Sequence, residues 1–184
     1  MLESSFVQLL IDNSEFIENT LSNRSVSALR DFISGYSAFR ATTEPLLEGF
    51  QLWLGIELSC MHPSKLRGGV WIGDSINWPS MLLRHYKSEQ DAFDGFFAQL
   101  RRYQSLPRST IHCVELDGER QSTFLIKDYG GGLPKQLEIY SIGGHQGVYV
   151  RALYESGCVR LIGYFSYVQE VDDHVLKTRA LGAR

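Results

Sequence analysis

Apolar residues recur at three- and four-residue steps through most of the N-terminal half of this chain, and at every second position through much of the rest. Over residues 4–21, Phe6, Leu9, Leu10, Phe16, Ile17 and Leu21 keep helical spacing. Asn13-Ser14 interrupts them, because both side chains compete for backbone hydrogen bonds, so two helices are expected. Ser25 is placed to cap the next helix, with Val26, Leu29, Ile33 and Tyr36 on one face. Gly35 weakens its middle and would permit close helix packing. Thr42 or Thr43 opens a further helix, with Pro45 tolerated in the first turn and Phe50, Trp53 and Leu54 as its buried stripe. A loop follows from Cys60 to Gly69, and Gly69 to Asn77 is ambiguous between loop and a short extended piece. Asn77, ahead of Trp78-Pro79, is an N-cap signal for a short helix to Tyr86. Ser88-Glu89-Gln90-Asp91 resembles a capping box and opens an amphipathic helix to about Tyr103, where Arg101 and Arg102 suit the C-terminal dipole.

The period changes at Leu106-Pro107. Ile111–Leu116 and Ser122–Ile126 read as strands flanking an Asp117-Gly118 hairpin turn. Leu137–Ile142, Gly147–Tyr154 and Cys158–Val168 read as three more. Their connections are too short for crossover helices, so the sheet should be antiparallel. The expected fold class is α+β: a helical half, 1–105, packed on an antiparallel sheet of about five strands, 110–170, within a single domain spanning 1–184. The tail from Asp172 to Arg184 is expected to form a short helix or to fray.

A chain of 184 residues can bury a substantial core, and 43% hydrophobic with 21% charged residues is a globular composition. The net charge of −3 argues against a general nucleic-acid binder, which carries a basic stripe. Cys60, Cys113 and Cys158 are odd in number and far apart, so they read as buried free thiols of a reducing compartment. No basic region followed by an apolar run opens the sequence, and no apolar run approaches a spanning length of about 18–20 residues. A cytoplasmic protein without a membrane partner is the expectation.

The most suggestive chemical motif is Gly73-Asp74-Ser75 after Val70-Trp71-Ile72, which looks like the nucleophile block of G-D-S-L esterases. The companion blocks of that pattern are missing: His174 follows Asp172-Asp173 directly, and Val171 stands where its aspartate belongs. A cap or loop role for Asp74 and Ser75 explains the motif better. The five histidines, His62, His85, His112, His145 and His174, show no zinc-type spacing. Glu170, Asp172, Asp173 and His174 read as a solvated acidic edge. Gly130-Gly131-Gly132 and Gly143-Gly144 open no helix, so they read as turns, not as a phosphate cradle. Tyr140, Tyr149, Tyr154, Tyr164, Phe165 and Tyr167 read as sheet packing, since only Arg151 and Arg160 interleave closely with them. No cofactor is expected.

Residues 32–103 run Phe32-Ile33-Ser34-Gly35-Tyr36, then Phe50-Gln51-Leu52-Trp53-Leu54, then Trp78, then Ala92-Phe93-Asp94-Gly95-Phe96-Phe97-Ala98-Gln99-Leu100 and Tyr103. This order resembles small bacterial immunity proteins encoded beside polymorphic toxins, of the contact-dependent inhibition and type VI secretion kinds. In those a Phe-x-x-Trp-Leu helix, a lone tryptophan and a Phe-Phe-x-x-Leu helix recur. The resemblance implies a cytoplasmic antitoxin without catalysis that binds one cognate toxin or effector domain, such as a basic nuclease. Acidic residues would then face the toxin, the candidates being Asp74, Glu155, Glu170, Asp172 and Asp173. Contact with nucleic acid would not be direct, and a homodimer is compatible with the reading. The alternatives are another non-catalytic adaptor, an esterase using Ser75, or a nucleic-acid binder.

Overall fold

A computed structural model describes residues 2–21, 23–39, 47–58, 70–71, 77–115, 134–154 and 159–165. The chain divides into two compact units: Met1–Met61 with Gly73–Ser105, and His62–Ile72 with Leu106–Arg184. The first is helical and the second holds a sheet, as the α+β expectation requires. The division is not a clean cut along the sequence, because a short strand inside the helical half belongs to the sheet.

The helical unit contains α1 (Leu2–Asp12), α2 (Ser14–Thr20), α3 (Val26–Phe39), α4 (Glu48–Glu57), α5 (Trp78–Tyr86) and α6 (Glu89–Ser105). Its boundaries follow side-chain chemistry. The break between α1 and α2 falls at Asn13, whose Nδ2 donates to the Leu9 carbonyl at 2.8 Å. Ser25 Oγ accepts from the amides of Ser27 and Ala28, which makes it the expected cap of α3. Asn77 Oδ1 accepts from the Ser80 amide at 3.0 Å and caps α5, with Pro79 in the first turn. Ser88 caps α6, accepting at Oγ from the Asp91 amide and donating from the same hydroxyl to the Asp91 carboxylate at 2.6 Å. α4 differs, since Leu47 occupies its N-cap with no side-chain bond. The expected caps Thr42 and Thr43 lie outside the described residues.

α6 is the centre of this unit and packs against α1, α3, α4 and α5. Phe93, Phe96, Phe97 and Leu100 are buried along it. Phe96 makes edge-on contacts with Phe50 at 5.5 Å and Phe97 at 5.2 Å, and a tilted one with Trp78 at 4.7 Å. Tyr103 extends the cluster to Phe50 and Trp53. These rings bury large apolar areas and meet in the edge-on geometry that their quadrupoles favour. Arginines close the margins: Arg24 joins Glu18 at 3.2 Å to Asp94 at 2.6 Å, Arg101 donates to Ser14 Oγ at 2.8 Å, and Arg102 pairs with Glu57.

The close helix packing expected at Gly35 is found elsewhere. A β-carbon at Gly35 would meet nothing, and the residue is exposed. At Gly95 the Tyr86 ring of α5 lies where a β-carbon would stand, so the missing side chain there brings α5 onto α6.

The sheet unit contains β1 (Val70–Trp71), β2 (Arg108–Glu115), β3 (Pro134–Ile142), β4 (Val148–Tyr154) and β5 (Val159–Phe165), in the order β1-β5-β4-β3-β2, with every pair antiparallel. Four strands are full-length, and the fifth is the two-residue β1 from the ambiguous stretch 69–77. The expected strand Ser122–Ile126 and its turn at Asp117-Gly118 lie outside the described residues. Along β4 the even positions Val148, Val150, Ala152 and Tyr154 are all buried, which marks one apolar face. β2 departs from the alternation that its sequence suggests. Ile111 lies at a register shift between Thr110 and His112 and is 49% exposed, and the free thiol Cys113 is exposed, against the expectation of burial. As an outermost strand, β2 has a neighbour on one side only among the described residues, which leaves its side chains little to pack against.

Candidate functional site

The expected toxin contacts Asp74, Glu155, Glu170, Asp172 and Asp173 all lie outside the described residues, as do Ser75, His174, Cys60, Cys158 and His62. Among the described residues no group of three or more His, Cys, Asp or Glu side chains is arranged to hold a metal ion. No described helix is long and apolar enough to cross a membrane. Two surfaces remain as candidates, one in each unit.

The first is a polar and aromatic strip on the sheet. Glu138 on β3 stands opposite Arg151 on β4, and Tyr140 stands opposite Tyr149. Glu138 accepts from Thr110 Oγ1 at 2.5 Å and from Arg151 Nε at 2.6 Å, while the guanidinium lies 5.1 Å from the Tyr140 ring centroid. Burial alone would raise the Glu138 pKa. The bonds from Thr110 and Arg151, with the charge of Arg151, outweigh it and hold the carboxylate below its ordinary value. The strip continues through Tyr149, whose hydroxyl lies 2.5 Å from His145 Nδ1, to Tyr164, whose ring centroid is 5.0 Å from that of Tyr149. Burial raises the Tyr164 pKa, against the lowering effect of the Gly147 amide that donates to its oxygen at 2.8 Å. Both Glu138 oxygens are engaged, so this carboxylate is held ionised and occupied, which suits a brace across strands better than proton transfer. Tyr140, Tyr149, Tyr154, Tyr164 and Phe165 are buried, as sheet packing requires, and offer no open stacking platform.

The second candidate is the outward face of α1 and α2. Phe6, Val7, Leu10 and Ile17 are buried, but Leu9 is 41% exposed and Phe16 is 64% exposed. Periodicity groups Phe6, Leu9, Leu10, Phe16 and Ile17 with Leu21 at one spacing, and the structure divides them. An α-helix buries a limited arc, and the phase that buries Phe6, Leu10 and Ile17 turns Leu9 and Phe16 away. Ser5, Gln8, Leu9 and Asp12, with Gln104 of α6, line an open depression. The signal that separates this face is charge: Glu3, Asp12, Glu15 and Glu18 precede the first basic residue of the chain, Arg24.

No family model, curated protein or solved structure matches this chain.

Proposed function

We propose that this chain is an immunity-type inhibitor: it binds one cognate secreted bacterial toxin in the cytoplasm and neutralises it without chemistry of its own. The observation that carries the reading is the aromatic core of the helical unit. Phe50, Trp53 and Leu54 of α4, Trp78 of α5, and Phe93, Phe96, Phe97, Leu100 and Tyr103 of α6 carry the resemblance to immunity proteins, and all are buried, with ring contacts linking the three helices. They form one packed unit across three helices, so the residues that carry the resemblance belong to one core. A rigid helical scaffold of this kind suits inhibition by shape, because a pre-ordered surface loses little entropy on binding.

The test is co-expression with the product of the adjacent gene. The expected result is restored growth against a toxic neighbour and recovery of a stable complex of the two proteins. A toxic neighbour left unchecked, with no complex formed, would remove the reading; so would a locus with no secreted toxin beside it.

A further inference from the structure

We infer that the outward face of α1–α2 is a docking surface for a basic protein, with Phe16 as its anchor. This inference rests on the immunity reading above, for which it supplies the contact face and the chemistry of the partner.

Leu9, Asp12 and Phe16 stand at helical spacing and are exposed, with Glu15 beside Phe16 exposed too. The break at Asn13 does not split this surface. The Asn13 amide donates to the Leu9 carbonyl at 3.1 Å and closes α1, the Ile17 amide donates to the Asn13 carbonyl at 3.0 Å and opens α2, and one phase of burial holds on both sides, with Phe6, Leu10, Ser14 and Ile17 buried and Leu9, Asp12 and Phe16 exposed. Leu9 and Phe16 thus stand seven residues apart on the exposed side. Two apolar anchors one heptad apart are the pattern by which a helix enters a groove on a partner.

Charge decides what that partner is. Residues 1–23 hold four carboxylates and no Lys, Arg or His. Glu18 is met by Arg24 at 3.2 Å. Asp12 accepts from the neutral amide of Gln8 at 2.7 Å, so its charge is not compensated there. A second copy of the chain would bring acid against acid. Nucleic acid and anionic lipid would be repelled for the same reason. An apolar socket rimmed by lysine and arginine meets both requirements: it takes the Phe16 ring, lays its aliphatic stems along it, and sets cations against Asp12 and Glu15. Isolated exposed apolar residues are ordinary on protein surfaces. Here an exposed pair seven residues apart is combined with a depression beside Leu9 and Asp12 and a one-signed charge.

The experiment measures association of the adjacent gene's toxin domain, produced as an inactive variant, with the full chain. Phe16→Ala should weaken binding about 30-fold, mostly through faster dissociation. The double variant Asp12→Lys, Glu15→Lys should slow association about tenfold at low salt, and the difference should shrink as salt rises. Both changes are on exposed positions and should leave the melting curve in place, with Phe16→Glu as a second probe of the anchor. If the unaltered chain binds and all three variants bind within about twofold of it, the face is wrong and the immunity reading stands. If the unaltered chain does not bind, both fall together.

Discussion

The two units of this molecule solve the same problem with different materials. The helical unit is held by aromatic rings in edge-on contact around α6, and its ion pairs lie at the margins. The sheet unit adds to an apolar face a second one on which a carboxylate, a guanidinium and three tyrosines touch in sequence. In the first, stability depends on volume, which is sensitive to a missing ring and indifferent to acidity. In the second, part of it depends on a charge, which acid can remove.

The sharpest way to break this contrast is Phe96→Ala, which should cost about 3–5 kcal/mol because three neighbouring rings face the void. Denaturant unfolding followed by tryptophan fluorescence would report it, and a loss below about 1 kcal/mol would mean that the cluster collapses onto the gap. Gly147→Ala should come next, at about 1–3 kcal/mol. The new β-carbon would overlap the Phe165 carbonyl oxygen, which is backbone and cannot swing aside, as well as the Tyr164 ring. A melting temperature unchanged by this substitution would show that β5 can move.

Glu138→Gln should cost about 1 kcal/mol near neutral pH, reduced by solvent screening because the Arg151 side chain is 36% exposed. Its pH dependence is the distinguishing mark. The folded carboxylate titrates below its ordinary value of 4.5, so its contribution is complete above that pH and is lost as pH falls through the lowered folded value. The stability gap between the natural chain and Glu138→Gln should therefore stay level down to that region and then close. A gap that stayed constant into strong acid would show that the carboxylate's charge contributes nothing. Phe96→Ala should show no such closure.

The smallest effect has the opposite sign. Gly35→Ala should stabilise by about 0.5–1 kcal/mol, since it lies mid-helix with open space around the new carbon. The same change at Gly95 should destabilise, because the Tyr86 ring would have to give way. Equal effects at the two glycines, read from melting curves, would refute the assignment of Gly95 as the contact that brings α5 onto α6.

Much of the helical unit was legible in the residues. Ser25, Asn77 and Ser88 announce helix starts through short-range hydrogen bonding, and local chemistry of that kind is visible in a few adjacent letters. The α4 and α6 stripes were equally plain, because their apolar positions keep one phase over several turns. Helical spacing does not set Leu9 and Phe16 apart from their buried neighbours, since period alone cannot tell the buried edge of a wide apolar arc from its exposed edge. Gly35 and Gly95 look alike in sequence, and what separates them is a tyrosine on another helix. The shift at Ile111 was invisible for a similar reason: a strand's register is a property of its partner as much as of itself. Charge alone singles out the candidate toxin contacts, with no pattern to fix their surroundings, whereas on α1 and α2 charge and exposure coincide.

The pairing of β1 with β5 sets Val70 opposite Tyr164, so the sheet takes one strand that precedes α5 and α6 in the sequence and four that follow them. During synthesis on the ribosome, β1 emerges long before β5 and must wait for it. The helical unit can condense in the meantime, because its last helix ends at Ser105, ahead of β2 to β5 in the order of synthesis. A gene cut between Ser105 and Leu106 would therefore not yield two self-sufficient products: the downstream piece would carry a β5 with a bare edge, open to pairing with other chains.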